Sequence, residues 1–199
     1  MKTPTEFTYH FDFDDQGALY FLGSYGKSRV WQNPHTIGQV NSFASSVGQG
    51  NVENFTGRVP TNTRTANEPY SYFGVDLGEG RLLMPSCYSI MNRNSTTHVM
   101  MNWHLEGSND MKEWIILDRR IYLSDNPYEN YQLEEEQKLL KKKGATSTWA
   151  INLDVSKQFG ARGFRYFRIV QVGKNSSGSD NLALSGFELY GKVCGGNWA

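Results

Sequence analysis

The chain has 199 residues, of which 38% are hydrophobic and 14% aromatic, so it can close one sizeable core without disulfides or metal ions. Its 20 basic and 20 acidic residues cancel, which argues against nucleic acid or an anionic membrane as a partner. No apolar run approaches the roughly 20 residues that span a bilayer, and the first residues lack the apolar stretch of a secretory signal. We therefore expect a cytoplasmic protein with no membrane insertion and no nucleic-acid partner.

The cysteines and the glycosylation sequons bear on the same question of compartment. Cys87 falls in a predicted strand and Cys194 in a glycine-rich tail, a placement that resembles neither a disulfide framework nor a zinc-binding spacing. Asn54, Asn94 and Asn175 each begin an Asn-x-Ser/Thr sequon, but such matches arise by chance in a chain rich in these residues. A reducing compartment is favoured.

Short runs of strand-forming residues, separated by turn residues, extend along the chain in the pattern typical of a β-sandwich or barrel. In one of them the alternate residues Phe73, Val75 and Leu77 are apolar and are predicted to share a buried face. Two runs that flank a polar turn, 103–107 and 114–118, are predicted to form a hairpin. The predicted strands are 18–22, 72–77, 87–91, 103–107, 114–118, 148–153, 165–172 and 183–190.

The connections between these strands carry further expectations. The last two predicted strands are interpreted as a pair joined by the polar loop 173–181. Two long segments, 23–69 and 123–147, show little regular pattern, and long loops of a compact β domain are where binding sites usually lie. Residues 133–143 are predicted to form a short helical insert, because acidic residues come early, lysines come late and Gly144 suits a C-cap.

Motifs that carry catalysis or metal binding are sparse. The four histidines lie in no recognisable nucleophile motif, and neither a P-loop nor a dinucleotide-binding glycine pattern occurs, so we predict that the chain is not an enzyme. Asp12, Asp14 and Asp15 resemble the start of a calcium loop, but Gln16 and Gly23 stand where positions five and twelve of that loop need ligands. A turn is the favoured role, and a weakly bound calcium ion is the alternative.

The loop 24–31 is the richest in groups that recognise ligands. Arg29 offers a planar fork of donors, and Tyr25 and Trp31 offer rigid aromatic faces, a set that suits a carboxylate, a sugar or a peptide. The alternative is that Trp31 anchors the loop to the core while Lys27 and Arg29 are merely solvated. The same two interpretations apply to Arg64 and to the polar segments at 93–94 and 174–177.

A series of motifs along the chain resembles the discoidin family, also called coagulation factor 5/8 type C. The motifs are 17–23 followed by Trp31-Gln32-Asn33-Pro34, then 72–78, Asn102-Trp103 with 107–110, 145–149, and the most specific stretch from 166–169 through 173–178 to 184–191. Each is weak alone, but their order is specific. The resemblance covers 11–191 and implies an all-β, galactose-binding-like jelly-roll sandwich. It is closest to the intracellular variant found in HECT-type ubiquitin ligases and BTB-domain proteins, and the internal position of Cys87 argues against the terminal disulfide of secreted members.

The resemblance implies that ligands meet the loops at one end of the sandwich, which favours loops 24–31, 93–98 and 174–177. We expect a loose segment at 1–10, the domain at 11–193 and a loose tail at 194–199. The candidate ligand-binding residues are Ser24, Tyr25, Lys27, Arg29, Trp31, Arg93, Asn94, His98, Lys174, Asn175 and Ser176.

These observations predict a non-catalytic module that binds a protein or peptide within an intracellular assembly, of the ubiquitin-ligase or cytoskeletal type. One alternative is a lectin-like domain that binds carbohydrate. Another is a structural subunit of a large filament or complex. The fold does not choose among them, because members of the family bind sugars, lipids and proteins.

Overall fold

The computed structural model describes residues 3–121, 140–151 and 162–198. Within these ranges the chain forms nine strands, one short α-helix and one 3-10 helix, Val52–Thr56. The helix α1 is Ala18–Gly23, and the strands are β1 Glu6–Phe7, β2 Asn41–Ala44, β3 Tyr72–Asp76, β4 Leu82–Asn92, β5 Trp103–Ser108, β6 Ile115–Arg120, β7 Thr146–Ala150, β8 Tyr166–Gln171 and β9 Leu184–Gly195.

The strands form two antiparallel sheets, one of order β1-β9-β4-β7 and the other of order β2-β3-β8-β5-β6. The two sheets enclose the core between them, because each strand alternates apolar side chains toward the other sheet. Phe55 of the 3-10 helix stacks on Phe73 of one sheet and Phe187 of the other, with ring centroids 5.8 Å and 4.8 Å away. The predicted all-β jelly-roll sandwich is confirmed.

The local patterns of the sequence correspond well to the sheets. Phe73, Val75 and Leu77 are fully buried, as their alternation predicts. Strands β5 and β6 pair in antiparallel register around the polar turn, so the hairpin prediction is also confirmed. Trp103 of β5 lies edge-on to Trp149 of β7, with centroids 5.0 Å apart, and joins the two sheets on that side.

Residues 18–22, predicted as a strand, form helix α1 instead. The Glu188 carboxylate accepts hydrogen bonds from the backbone N–H groups of Leu19 and Tyr20, at 2.7 Å and 2.9 Å, and thus satisfies two free donors of the first turn. Gly17 precedes the helix because a Cβ there would lie only 2.2 Å from Cδ of Glu188. The helix depends on a carboxylate about 170 residues away, which no local pattern reveals.

The predicted pairing of the last two strands is wrong. Strand β8 lies between β3 and β5, whereas β9 lies between β1 and β4 in the other sheet. The polar connection between them therefore crosses from one sheet to the other. A strand's alternation shows which face is buried but not which neighbour it pairs with.

The chain ends differ from the expectation of loose segments at the residues that are described. Phe7 of β1 is buried, β1 pairs with β9, and the Phe7 ring lies 5.1 Å from that of Trp198, which is also buried. The domain boundaries at 11 and 193 stay a prediction. The helical insert predicted at 133–143 falls outside the described residues up to 139, while Leu140 is described and is buried in the core.

Candidate binding site

One end of the sandwich is built from three connections, 45–71, 93–102 and 172–183, and we call it the loop end. These connections join β2 to β3, β4 to β5 and β8 to β9, whose paired residues Ala44 and Phe73, Asn92 and Leu184, and Trp103 and Gln171 all lie at this end. The loops between the other strand ends, at 77–81 and 109–114, lie at the opposite end.

Hydrogen bonds fasten two of the three predicted ligand loops to each other. The backbone N–H of His98 donates to Oγ of Ser177 at 3.0 Å, and that of Val99 donates to Oγ of Ser176 at 2.9 Å. The N–H of Ser176 donates in return to the Val99 carbonyl, at 2.9 Å. The structure therefore brings the loops 93–98 and 174–177 together, as the resemblance implied.

Three basic side chains, Arg64, Arg93 and His98, lie at this end near enough for their charges to interact, and we call them the cationic cluster. Arg93 is only 7% exposed, and its guanidinium donates from Nε to the carbonyl of Thr97 at 3.2 Å and from Nη2 to the Thr97 hydroxyl at 2.9 Å. Nη2 also lies 3.4 Å from Nδ1 of His98. Arg64 donates from Nε to the amide oxygen of Gln49 at 3.2 Å.

The positive charges of the cationic cluster repel one another. Burial lowers the pKa of Arg93, and the nearby charge of Arg64 lowers it further. Burial also lowers the pKa of His98, as do the charges of Arg93 and Arg64. Within residues 3–121, 140–151 and 162–198, no carboxylate forms an ion pair with any of the three. The two arginines are therefore a concentration of positive charge without a counter-charge in the described chain.

The other predicted residues at the loop end differ in what they offer. Asn94 and Ser176 are exposed. Lys174 is exposed too, but its ammonium group pairs with Asp180. The Asn175 side chain is buried, donating to the Asn181 carbonyl at 2.9 Å and accepting from the N–H of Ser177 at 3.0 Å. Asn175 therefore shapes the loop from within, and its buried amide is not accessible to glycosylation.

The third predicted loop, 24–31, contacts α1 and the N-terminal segment rather than the cationic cluster. Ser24 is buried and its hydroxyl donates to the Tyr20 carbonyl at 2.8 Å, at the end of α1. Lys27 pairs with Asp15 at 3.5 Å and lines a cleft together with Phe7 of β1 and Phe21 of α1.

The aromatic residues of this loop serve its own packing. The guanidinium carbon of Arg29 lies 4.6 Å from the centroid of the Tyr25 ring, and both belong to the loop itself. Trp31 packs its indole against Gly23, where a Cβ would lie 2.5 Å from Nε1, and this buried Nε1 has no hydrogen-bond partner among the described residues. The anchoring interpretation fits Trp31.

The acidic residues considered for calcium have other partners. Asp14 is buried and accepts hydrogen bonds from the N–H groups of His10 and Gln16, at 2.8 Å and 2.9 Å, which makes the predicted turn. Asp12 accepts from the hydroxyl of Thr148 at 2.7 Å. Across the described part of the chain, no group of three or more His, Cys, Asp or Glu side chains is arranged to hold a metal ion.

Arg64 is the member of the cluster that the site prediction left out. It lies about 30 residues before Arg93 and looks in the sequence like any solvated arginine of a long loop. Its only local signal is the threonine-rich segment around it, which supplies the Thr61 carbonyl that accepts a hydrogen bond from the N–H of Asn94 at 2.9 Å.

Among the described helices, none has the length and apolar character needed to cross a membrane.

Comparisons with solved structures agree with this architecture. The chain superposes on the SusE-like protein BT2857 with a TM-score of 0.52 and 16% identity, covering 77% of this chain and 97% of that one. It superposes on the family 32 carbohydrate-binding module of NanJ from Clostridium perfringens, solved in complex with galactose, with a TM-score of 0.50 and 13% identity, covering 77% and 94%. The fold is that of the galactose-binding-like, discoidin-type β-sandwich domains.

Sequence comparisons indicate which variant of the discoidin-type domain the chain resembles. The chain is 32% identical over 98% of its length to the E3 ubiquitin-protein ligase Ufd4 of Drosophila melanogaster, and 34% identical over 92% to the E3 ubiquitin-protein ligase hecd-1 of Caenorhabditis elegans. It is 26% identical over 94% of its length to a BTB/POZ domain-containing protein of Arabidopsis thaliana. The resemblance to the variant found in ubiquitin ligases and BTB-domain proteins is confirmed.

The chain spans 7%, 6% and 22% of the lengths of these three relatives. It thus corresponds to one segment of much larger proteins. No protein-family model matches the chain.

Proposed function

We propose that this domain is a non-catalytic binding module that holds a protein partner at its loop end, within a cytoplasmic assembly of the ubiquitin-ligase type. The observation that carries the proposal is the cationic cluster, in which the Arg93 guanidinium lies 3.4 Å from the His98 ring and no carboxylate of the described residues pairs with Arg64, Arg93 or His98. Clustered positive charge at a domain surface costs free energy in the unbound protein, and a partner that supplies negative charge recovers it.

The loop end is also held in one arrangement before a partner arrives. The loops 93–98 and 174–177 are joined by three hydrogen bonds through His98, Val99 and Ser176. Arg93 is held by two hydrogen bonds to Thr97. Groups that are fixed beforehand lose less conformational entropy on binding, which favours a recognition role for this end.

The sequence relatives support the cellular setting. Two relatives at 32% and 34% identity are E3 ubiquitin-protein ligases, and the chain corresponds to 7% and 6% of their lengths. A segment of this size with the fold of binding domains suits an accessory part that brings a partner to the rest of a large protein. Association with the cytoskeleton is a further possibility within the same proposal.

The proposal is tested by cross-linking the chain to its partners in cell extract and identifying them by mass spectrometry. The test variant carries Arg64→Gln and Arg93→Gln, and the matched control carries Arg162→Gln, an exposed arginine beside Gly163 near the opposite end. We expect the original chain and the control to yield the same set of partners and the double variant to lose them. Equal recovery by all three proteins would refute the role of the loop end, provided that circular dichroism shows each to be folded.

Carbohydrate binding is a second candidate. Tyr70 is 68% exposed within the connection 45–71 of the loop end, and an exposed aromatic face is what stacks on a sugar ring. The fold neighbour solved with galactose belongs to the same fold class. A glycan array that shows binding abolished by Tyr70→Ala and unaffected by Arg64→Gln would establish this function in place of the first.

A further inference from the structure

Among the described residues, four of the other partly buried arginines form ion pairs, whereas Arg81 donates only to neutral oxygens but lies close enough to Asp76 to feel its charge. Arg58 pairs with Glu188 at 3.3 Å, Arg120 with Asp118 at 2.8 Å, Arg165 with Asp76 at 2.6 Å and Arg168 with Glu106 at 2.7 Å. The cationic cluster differs from all five, because the nearby charges that act on its arginine Arg93 and on His98 are positive and the oxygen partners of its arginines among the described residues are neutral. The fold places carboxylates beside other arginines, but among the described residues it places none beside the cationic cluster.

The donors that remain define the group that fits. Arg93 uses Nε and Nη2 for Thr97, and within the described chain its Nη1 makes no hydrogen bond. Arg64 uses Nε for Gln49, which leaves both of its terminal nitrogens without a partner in the same part of the chain. Terminal guanidinium nitrogens present donors in a planar fork, and a carboxylate matches that fork with two oxygens.

The connection that supplies Arg64 favours a polypeptide as the source of the carboxylate. The connection 45–71, which supplies Arg64, also exposes three apolar side chains: Val47 is 50%, Val59 68% and Tyr70 68% exposed. Free phosphate or another small anion would gain nothing from these side chains. A peptide that carries an acidic residue between apolar ones would cover them and also neutralise the cluster.

We propose that Arg64 and Arg93, with His98 beside them, bind the carboxylate of an acidic residue in a protein partner, and that exposed apolar side chains of the connection 45–71 contact the apolar residues flanking it. This inference rests on the proposed function and names the chemistry that the loop end recognises. Arg93 has a second role as the residue that holds Thr97, whereas Arg64 acts through its charge and its terminal donors.

The test uses two synthetic peptides, acetylated and amidated at their ends, that differ only in charge. One alternates glutamate with leucine, and the other has glutamine in place of every glutamate. Binding to the 199-residue chain is followed by two-dimensional NMR and by fluorescence anisotropy. We expect the acidic peptide to shift the resonances of His98 and of the arginine Nε–H groups, and the glutamine peptide to bind at least about 10-fold more weakly.

The variants separate the cluster from the rest of the surface. Arg64→Gln should weaken binding of the acidic peptide about 10-fold, whereas the control Arg162→Gln should leave it unchanged. Arg93→Gln should weaken binding by a similar factor. If this variant unfolds the loop because it loses the contacts with Thr97, the result for Arg64→Gln still decides the test. Sodium acetate, compared with sodium chloride at equal ionic strength, should raise the pKa of His98, because a bound carboxylate favours the protonated ring.

The outcomes distinguish this inference from the proposed function. Equal affinity for the two peptides, or no effect of acetate on His98, would overturn the carboxylate assignment. If the carboxylate assignment failed but the double variant still lost its partners in the cross-linking experiment, the proposed binding role of the loop end would remain supported. Preferential binding of a phosphorylated peptide, in which phosphoserine replaces glutamate, would likewise overturn the carboxylate assignment in favour of phosphate recognition.

Discussion

The outer face of the five-stranded sheet and the loop end each hold a largely buried arginine, but the two arginines have opposite surroundings. On the sheet, Arg168 pairs with Glu106 at 2.7 Å, and its guanidinium carbon lies 4.0 Å from the ring centroid of Trp114 and 4.8 Å from that of Tyr72. At the loop end, Arg93 is 7% exposed, donates to the neutral oxygens of Thr97 and lies near enough to Arg64 to feel its positive charge.

The difference shows why burial alone does not identify a binding residue. Arg168 is complete within the fold, because Glu106 supplies its counter-charge and two aromatic rings cover its faces. Arg93 has no carboxylate partner among the described residues, so its charge is available to another molecule. We expect substitutions of the paired arginines and their acids to reduce stability, and substitution of Arg64 to reduce binding with little change in stability.

The largest loss of stability is expected for Arg58→Met, which removes the cation from the most buried pair. Glu188 is 1% exposed, and burial raises its pKa to about 7 although Arg58 lowers it. Without Arg58, the ionised carboxylate would be buried with backbone donors alone, which we expect to cost about 3 kcal/mol of unfolding free energy at alkaline pH. Urea denaturation with circular dichroism measures the loss.

The pH dependence of that loss tests its cause. Because the folded-state pKa of Glu188 lies above its ordinary value, this group favours folding most at low pH, and that contribution disappears as the pH rises through about 7. The Arg58→Met loss should therefore be smaller at about pH 5.5 than at about pH 8, since a protonated carboxyl needs no cation. An equal loss at both pH values would mean that Arg58 acts through its packing on Tyr20 and Phe13 and its hydrogen bonds to the Phe13 and Asp14 carbonyls, and not through its charge.

The next largest effect is expected for Glu106→Gln, which leaves Arg168 without its counter-charge. Burial alone would raise the pKa of Glu106, but hydrogen bonds from His104 and Arg168 lower it overall. We expect a loss of about 2 kcal/mol at neutral pH. The original chain should also lose stability as the pH falls through the folded-state pKa of Glu106, and the variant should lack this component. Glu113→Gln, in the exposed polar turn, is the control and should change little.

Arg64→Gln should have a much smaller effect on stability, within about 0.5 kcal/mol of the original chain. Arg64 has no carboxylate partner among the described residues, and its removal relieves repulsion with Arg93. Thermal unfolding of the two proteins side by side measures the change. A loss as large as that of Glu106→Gln would abolish the distinction between the paired and the unpaired arginines.

The smallest expected change is a rise in the pKa of His98 in the Arg64→Gln protein. Burial lowers that pKa, and the charges of Arg93 and Arg64 lower it further, so the ring should protonate more readily once one charge is gone. NMR titration of the His98 ring measures the shift.

The loop end was only partly predictable from the sequence. Motif order placed the loops 93–98 and 174–177 at one end, and they do meet there through Ser176 and Ser177. The same mapping also placed 24–31 there, but that loop follows a helix which Glu188 stabilises, and it contacts the region of β1. Arg64 was considered but not included, because nothing local distinguishes an arginine that meets other cations from one that is solvated.

The sequence by itself determined most of the strands, the faces that they bury and the class of sandwich that results, since alternation such as Phe73, Val75 and Leu77 records burial locally. Only the tertiary structure decided that residues 18–22 are helical, that β8 and β9 lie in different sheets, and that Arg64, Arg93 and His98 meet. These features depend on contacts between residues far apart in the chain, and a pattern that repeats every two or four residues carries no information about such contacts.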